Sequence, residues 1–194
     1  MNVIGSPGTL LRCNICVGRH WQRNMPPARP ERRGQSAIPR GANMNLKVIL
    51  IGGVVYYAAQ WAVGMVTGPL IHNGILVEAY QATAPFWRPE LMQQPPDMAA
   101  LLPLWITTGL IGAFLSAAVY TWIRPALAGA GWQRGLKFGV IAVIFHAVAM
   151  MGFYGVFNLP AQIWTWWGVE GVAYLLVGGV ALGWVAQKLA PAGN

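Results

Sequence analysis

Long apolar stretches separated by short polar segments dominate this sequence from Met44 onward. Four of them approach or exceed the 20 or so predominantly apolar residues that cross the hydrocarbon core of a bilayer, and they contain no Lys, Arg or Asp: residues 48–66, 101–123, 138–157 and 163–185. Helices of soluble bundles carry a polar stripe, whereas these stretches are apolar around most of their circumference. The pattern therefore predicts an all-α fold, an integral membrane four-helix bundle.

The segments outside the spans differ in kind. Residues 1–43 hold seven arginines and are rich in Pro and Gly without an apolar period, a composition that predicts a disordered extension. The run "MNLKVILIGG" at Met44 has the form of a membrane protein's opening, so we expect a membrane domain over residues 44–190 and consider the extension to lie upstream of the true start.

Cys13 and Cys16 lie in this extension with CxxC spacing. Attachment of c-type haem needs a His directly after the second Cys, where Val17 stands instead. A zinc site needs four ligands, and adding His20 gives three. We interpret the pair as incidental and predict no metal site and no cofactor; the alternatives are a metal site shared with a partner chain and redox use.

The segment between the first two spans, residues 67–100, is too apolar for a plain linker. Its apolar positions over residues 70–83 suit a short helix lying in the membrane interface, and the prolines that follow oppose further helix. They are Pro85, Pro89, Pro95 and Pro96. We expect this segment to fold over the outer mouth of the bundle.

The net charge of +8 is distributed in a way that argues against nucleic-acid binding, because the extension carries most of it. From Met44 onward, five of the six basic residues fall on one side of the four spans: Lys47, Arg124, Arg134, Lys137 and Lys188. Basic residues near span ends are retained in the cytoplasm. The sequence thus predicts an inner (plasma) membrane protein with both termini cytoplasmic and the 67–100 loop external.

Small residues four positions apart allow membrane helices to approach closely. The pairs Gly64/Gly68 and Gly179/Gly183 predict helix-packing positions within this chain. The pair Gly135/Gly139 begins in a short loop before the third span and receives less weight.

A carboxylate that faces lipid is unfavourable, so Glu170 in the fourth span is predicted to face the bundle. At 1.5 Å per residue, the other polar side chains of the spans fall at a similar depth or about one turn deeper. The predicted intramembrane polar cluster consists of Glu170, His146, Gln60, Tyr174, Thr107 and Thr108.

We interpret this cluster first as a hydrogen-bond network that fixes helix packing, which suits a structural or interaction role in the membrane. The alternatives are a proton- or substrate-binding site of a small-solute or proton-coupled transporter, and haem or pigment ligation through His146. No catalytic motif occurs, so the sequence does not predict an enzyme. Expected partners are the lipid bilayer and either another membrane protein or a second copy of this chain.

The segments "GWQRGLKFG", entering the third span, and "FNLPAQIWTWWGVEGVAYLLVGGVALGWVAQ", forming the last hairpin, resemble small bacterial four-span membrane proteins of unknown function. The resemblance covers about three quarters of the chain, from Met44 onward. It implies the four-span layout and brings no activity or functional residue with it.

Overall fold

The structure, a computed structural model, describes residues 45–191, and within this range the chain forms helices and no strands. Four helical segments are long and apolar enough to cross a membrane. The prediction of an all-α four-helix bundle is therefore confirmed. The predicted disordered extension, with Cys13 and Cys16, lies outside the described residues.

Helix α1 spans Leu46–Leu70, and its first turn is capped by Asn45, whose Oδ1 accepts from the Val48 backbone N–H at 3.3 Å. A π-helical turn, Ile71–Ile75, continues α1 directly, so the first apolar helix is longer than the predicted span 48–66. Pro69 cannot donate a backbone hydrogen bond, and the wider π turn follows it, closed by a 2.8 Å bond from Leu76 N to the Ile71 carbonyl. The chain thus stays helical beyond residue 66, where the predicted external loop begins.

The residues after α1 fold back onto the end of the bundle. They comprise the π turn, helix α2 (Val77–Ala82), a 3-10 turn (Ala84–Phe86) and helix α3 (Pro89–Met92). We call residues 71–97 the cover segment. Ile71 and Leu76 of this segment are buried in contact with Ile163 of the last helix. Tyr80 and Trp87 pack against these three side chains. Burial of these apolar side chains holds the cover segment against the start of the last helix.

The other three long helices are α4 (Met98–Ile123), α5 (Gly131–Tyr154) and α6 (Ala161–Leu189). Helices α1 and α6 pack against each other in the middle of the bundle, with α4 against α1 and α5 against α6. One buried cluster joins all four helices: Val48, Tyr56, Ala113, Ala117, Tyr120, Phe138, Leu182 and Ala186. Most other apolar side chains face outward, as expected for helices surrounded by lipid.

Helices α5 and α6 approach through glycine. A Cβ built on Gly179 would lie 2.5 Å from the Gly135 carbonyl oxygen, and a Cβ on Gly139 would lie 2.7 Å from the Leu175 carbonyl. Gly183 meets the backbone of Gly131 and Gly135 in the same way. Because only backbone faces backbone here, no side chain fits between the two helices.

The other two predicted packing glycines are placed differently. A Cβ on Gly64 would lie 2.9 Å from the Tyr174 hydroxyl, so Gly64 makes room for a side chain of α6. Gly68 has no atom within 4 Å of its Cβ position among the described residues.

Charges of opposite sign lie at opposite ends of the bundle. Arg124, at the end of α4, donates to the Ala190 carbonyl at the end of α6. The Gly131 N–H, at the start of α5, donates to Gln187 Oε1 of α6. These bonds bring the three helix ends together. We call this the basic end; it carries Lys47, Arg124, Arg134, Lys137 and Lys188. The cover segment, at the other end, carries Glu78, Glu90 and Asp97 with Arg88.

Candidate functional site

A buried carboxylate, that of Glu170 on α6, accepts hydrogen bonds from three side chains. Its Oε1 accepts from the Tyr174 hydroxyl at 2.8 Å and from Thr67 Oγ1 at 2.5 Å. Its Oε2 lies 2.8 Å from His72 Nε2. Tyr174 follows one turn along α6, which places it on the same face as the acid, whereas Thr67 and His72 come from α1 and its π turn. The contact therefore joins the two central helices.

His72 connects the acid to the cover segment. Its second ring nitrogen, Nδ1, lies 2.7 Å from the Tyr80 hydroxyl on α2, and that hydroxyl accepts from Trp167 Nε1 at 2.8 Å. An indole N–H can only donate, so the Tyr80 oxygen is the acceptor in that bond and its own O–H is available to the imidazole. In neutral His72, Nδ1 then accepts from Tyr80 and Nε2–H donates to Glu170. We call these six residues the Glu170 network: Thr67, His72, Tyr80, Trp167, Glu170 and Tyr174.

Aromatic packing holds Tyr80 in place. Its ring lies edge-on to Trp87 with centroids 5.2 Å apart, and the ring of Trp87 meets that of Trp167 at 5.7 Å. Trp87 Nε1 donates to Thr83 Oγ1 at 2.8 Å. Burial raises the pKa of the Tyr80 hydroxyl above its usual value. The hydroxyl is therefore protonated at neutral pH and can donate a hydrogen bond.

The network runs from an accessible group to an enclosed one. The His72 side chain is 36% exposed and the Glu170 side chain is 7% exposed. A carboxylate hydrogen-bonded to an imidazole that itself contacts a hydroxyl is an arrangement that can hold, or pass along, a proton. The titratable groups of the Glu170 network are an acid, an imidazole and two phenols. Within residues 45–191, no three side chains of the types that bind metals come together.

Of the six residues that the sequence predicts to cluster, the structure joins Glu170 and Tyr174. Gln60 lies deeper, beside Tyr56, where its Cγ is 3.4 Å from the Cβ position of Gly178. The hydroxyls of Thr107 and Thr108 return to carbonyls of their own helix, those of Pro103 and Leu104, at 2.7 and 2.8 Å, and both residues are exposed.

His146 of α5 lies against α6 but apart from the acid. Its buried Nε2 has no hydrogen-bond partner among the described residues, and a Cβ built on Gly171 would overlap this nitrogen. The backbone of α6 at Gly171 therefore passes close to the His146 Nε2.

The sequence did not place His72, Thr67, Tyr80 or Trp167 in the polar cluster; its pattern predicts only that Trp167 lies at the outer membrane interface. Thr67 and His72 fall just beyond the predicted end of the first span, in the segment predicted to be the external loop. The available signal was the apolar character of "PLIHNGILV", which continues past the proline and is compatible with one more helical turn. Comparison with protein-family models, with curated proteins and with solved structures found no match to this chain.

Proposed function

We propose that this multi-pass membrane protein binds a proton at the His72–Glu170 pair and uses that site in proton-coupled handling of a small solute. The observation that carries the proposal is the 2.8 Å contact between the partly exposed imidazole and the enclosed carboxylate. Ionisable side chains within membrane spans are costly and commonly mark ion or proton pathways. Here the pair lies near one end of the bundle, where a proton can reach it from one side of the membrane.

The chemistry of the pair suits this role. Histidine is the side chain whose charge changes near neutral pH, and a hydrogen bond to one ring nitrogen determines which proton the other nitrogen carries. Tyr80 and Glu170 contact the two nitrogens of one imidazole. A proton bound at this pair would therefore lie between an imidazole and a carboxylate that are in direct contact, while Tyr80 contacts the other ring nitrogen.

The direction of access follows from the charges. Five basic residues lie at the basic end, and the positive-inside rule assigns that end to the cytoplasm of an inner membrane. The Glu170 network lies at the opposite end, beneath the cover segment. In this orientation both termini are cytoplasmic and protons reach His72 from the external side.

A second candidate is the structural or interaction role, which the same contacts support in a different way. The Glu170 network ties the cover segment to α6, and Gln162 Nε2 adds a 3.1 Å bond to the Ile75 carbonyl. In this role the hydrogen bonds hold the end of the bundle in shape, and the exposed apolar helices contact lipid, another membrane protein or a second copy of the chain.

Infrared difference spectroscopy during a pH titration of the purified protein separates the two candidates. We expect pH-dependent carboxyl and carboxylate bands that are absent in Glu170→Gln and that are altered in His72→Gln, because the two side chains share the bound proton. Glu78→Gln is the matched control, because Glu78 is an exposed acid of the same cover segment. If Glu170→Gln leaves the pH-dependent carboxyl signal unchanged, Glu170 does not exchange a proton and the structural role remains.

A further inference from the structure

The basic end holds an arrangement that the proposed proton site does not use. The rings of Tyr120 on α4 and Phe138 on α5 pack edge to face with centroids 5.4 Å apart. Helix α4 runs toward the basic end and α5 runs away from it. Arg124 follows Tyr120 by four residues and Arg134 precedes Phe138 by four, so both arginines lie about 6 Å beyond the ring contact, toward the same end.

These residues present hydrogen-bond donors without acceptors. Tyr120 is fully buried, and its hydroxyl has no partner among the described residues. The Nε atoms of Arg124 and Arg134 are likewise buried and unpartnered there. One Nη of Arg124 donates to the Ala190 carbonyl, which fixes its guanidinium beside the end of α6 and leaves its other N–H groups without an acceptor in that part of the chain.

The charged side chains near Tyr120 are all positive. Arg124 and Arg134 both carry a positive charge about one helical turn beyond the ring contact, and the acidic side chains of residues 45–191 all lie elsewhere: Glu78, Glu90 and Asp97 in the cover segment and Glu170 beside His72. Two like charges close together repel each other, and an anion placed between them turns this repulsion into attraction. The planar guanidinium fork matches phosphate oxygens in particular.

We propose that Tyr120, Arg124 and Arg134 form a binding site for a phosphate-bearing anion at the basic end, with the headgroup of an anionic phospholipid as its source. Trp122 and Trp132 flank the site on α4 and α5, exposed at 67% and 48%, and exposed tryptophans typically sit at the level of lipid headgroups. Basic pockets between membrane helices recognise such headgroups.

The test is a series of thermal melts of the full-length protein in mild detergent, with phosphatidylglycerol, phosphatidylcholine or inorganic phosphate added at matched ionic strength. We expect phosphatidylglycerol to raise the melting temperature more than phosphatidylcholine, whose choline cancels the phosphate charge. In Arg134→Gln, the phosphatidylglycerol concentration that gives half of this shift should rise about tenfold or more, because a charge-assisted hydrogen bond is lost.

The matched control is Lys188→Gln, which also removes one positive charge from the basic end. Lys188 lies over the Trp184 ring, 3.7 Å from its centroid, and is not one of the three residues of the proposed site. This variant should respond to phosphatidylglycerol like the parent. If Arg134→Gln does not fold, Arg134→Lys keeps the charge without the fork and should still weaken the response.

Stabilisation by inorganic phosphate as strong as that by phosphatidylglycerol would support the same site with soluble phosphate as its source. Equal responses of the parent to the two lipids, without an effect of phosphate, would overturn the proposal. The proposal would also be overturned if Arg134→Gln and Lys188→Gln weakened the response to phosphatidylglycerol equally, because the response would then depend on net charge alone.

Discussion

His72 Nε2 lies 2.8 Å from Glu170 Oε2, although 98 residues separate the two in the chain. The imidazole comes from a π-helical turn that extends α1, and the carboxylate comes from the middle helix that packs against α1. This one contact links the cover segment to the bundle and connects an enclosed acid to an accessible titratable group. It is the basis of the first two predictions.

Replacing Glu170 by Gln should leave the free energy of unfolding close to that of the parent. The amide oxygen can keep the bonds from Thr67 and Tyr174, and its NH₂ group can donate to His72 Nε2 once the imidazole carries its proton on Nδ1. Glu170→Leu removes the acceptors altogether. Thr67 can then turn to the Val63 carbonyl, 3.2 Å away, but His72 and Tyr174 lose their partner, at about 1–3 kcal/mol for each unsatisfied group. Thermal melts of both variants in detergent measure this, and a Leu variant as stable as the parent would contradict the network.

Replacing Tyr80 by Phe should destabilise the cover segment by about 1–3 kcal/mol, because Trp167 Nε1 loses its acceptor and His72 Nδ1 loses its donor. Hydrogen–deuterium exchange of residues 71–97 should increase in this variant while exchange in α5 does not change. Tyr154→Phe is the control, since Tyr154 is 58% exposed. Equal exchange in the two variants would show that the Tyr80 hydroxyl does not hold the segment.

The ionisation of Tyr80 should also be visible as a pH effect. Burial raises its pKa above the ordinary value of 10.0, so the unfolded chain releases this proton more readily than the folded one. The contribution of Tyr80 to stability is therefore fully present below pH 10 and is lost as the pH rises through the folded value. The difference in tyrosinate absorbance between the parent and Tyr80→Phe should accordingly appear above pH 10; a difference centred at or below 10 would argue against a buried hydroxyl.

Gly135→Ala should destabilise the bundle by about 1–3 kcal/mol, the usual cost of forcing atoms into a packed contact. The new methyl group would overlap the Gly179 carbonyl, and backbone cannot move aside as a side chain can. Gly152→Ala on the same helix is the control, because no described atom lies within 4 Å of its Cβ position, and alanine favours the helix. Chemical or thermal denaturation in detergent should thus show Gly135→Ala to be less stable than the parent and Gly152→Ala to be as stable or more stable.

Topology reporters test the orientation. A reporter fused at Asn194 and one inserted in the 127–130 loop should both indicate the cytoplasm, whereas one near Gln94 should indicate the external side, because basic residues near span ends are retained inside. An external C-terminus would reverse the side from which protons reach His72.

Much of the architecture could be predicted from the sequence alone. Membrane spans are defined by length and hydropathy, which are local properties of the chain, since each helix must satisfy its own backbone hydrogen bonds in lipid. The four helices and the segregation of charge between loops follow from that. The spacing of Glu170 and Tyr174, one helical turn apart, is likewise local.

The tertiary structure decided which distant side chains meet. The π turn after Pro69 sets the rotation of His72 toward α6, and a shift of one residue there would turn the imidazole by about 100°. The approach of α5 to α6 through Gly135 and Gly179, and the bond from Arg124 to the Ala190 carbonyl, depend in the same way on how whole helices rotate and end. Such pairings arise from packing summed over entire helix faces, so no single stretch of sequence contains them.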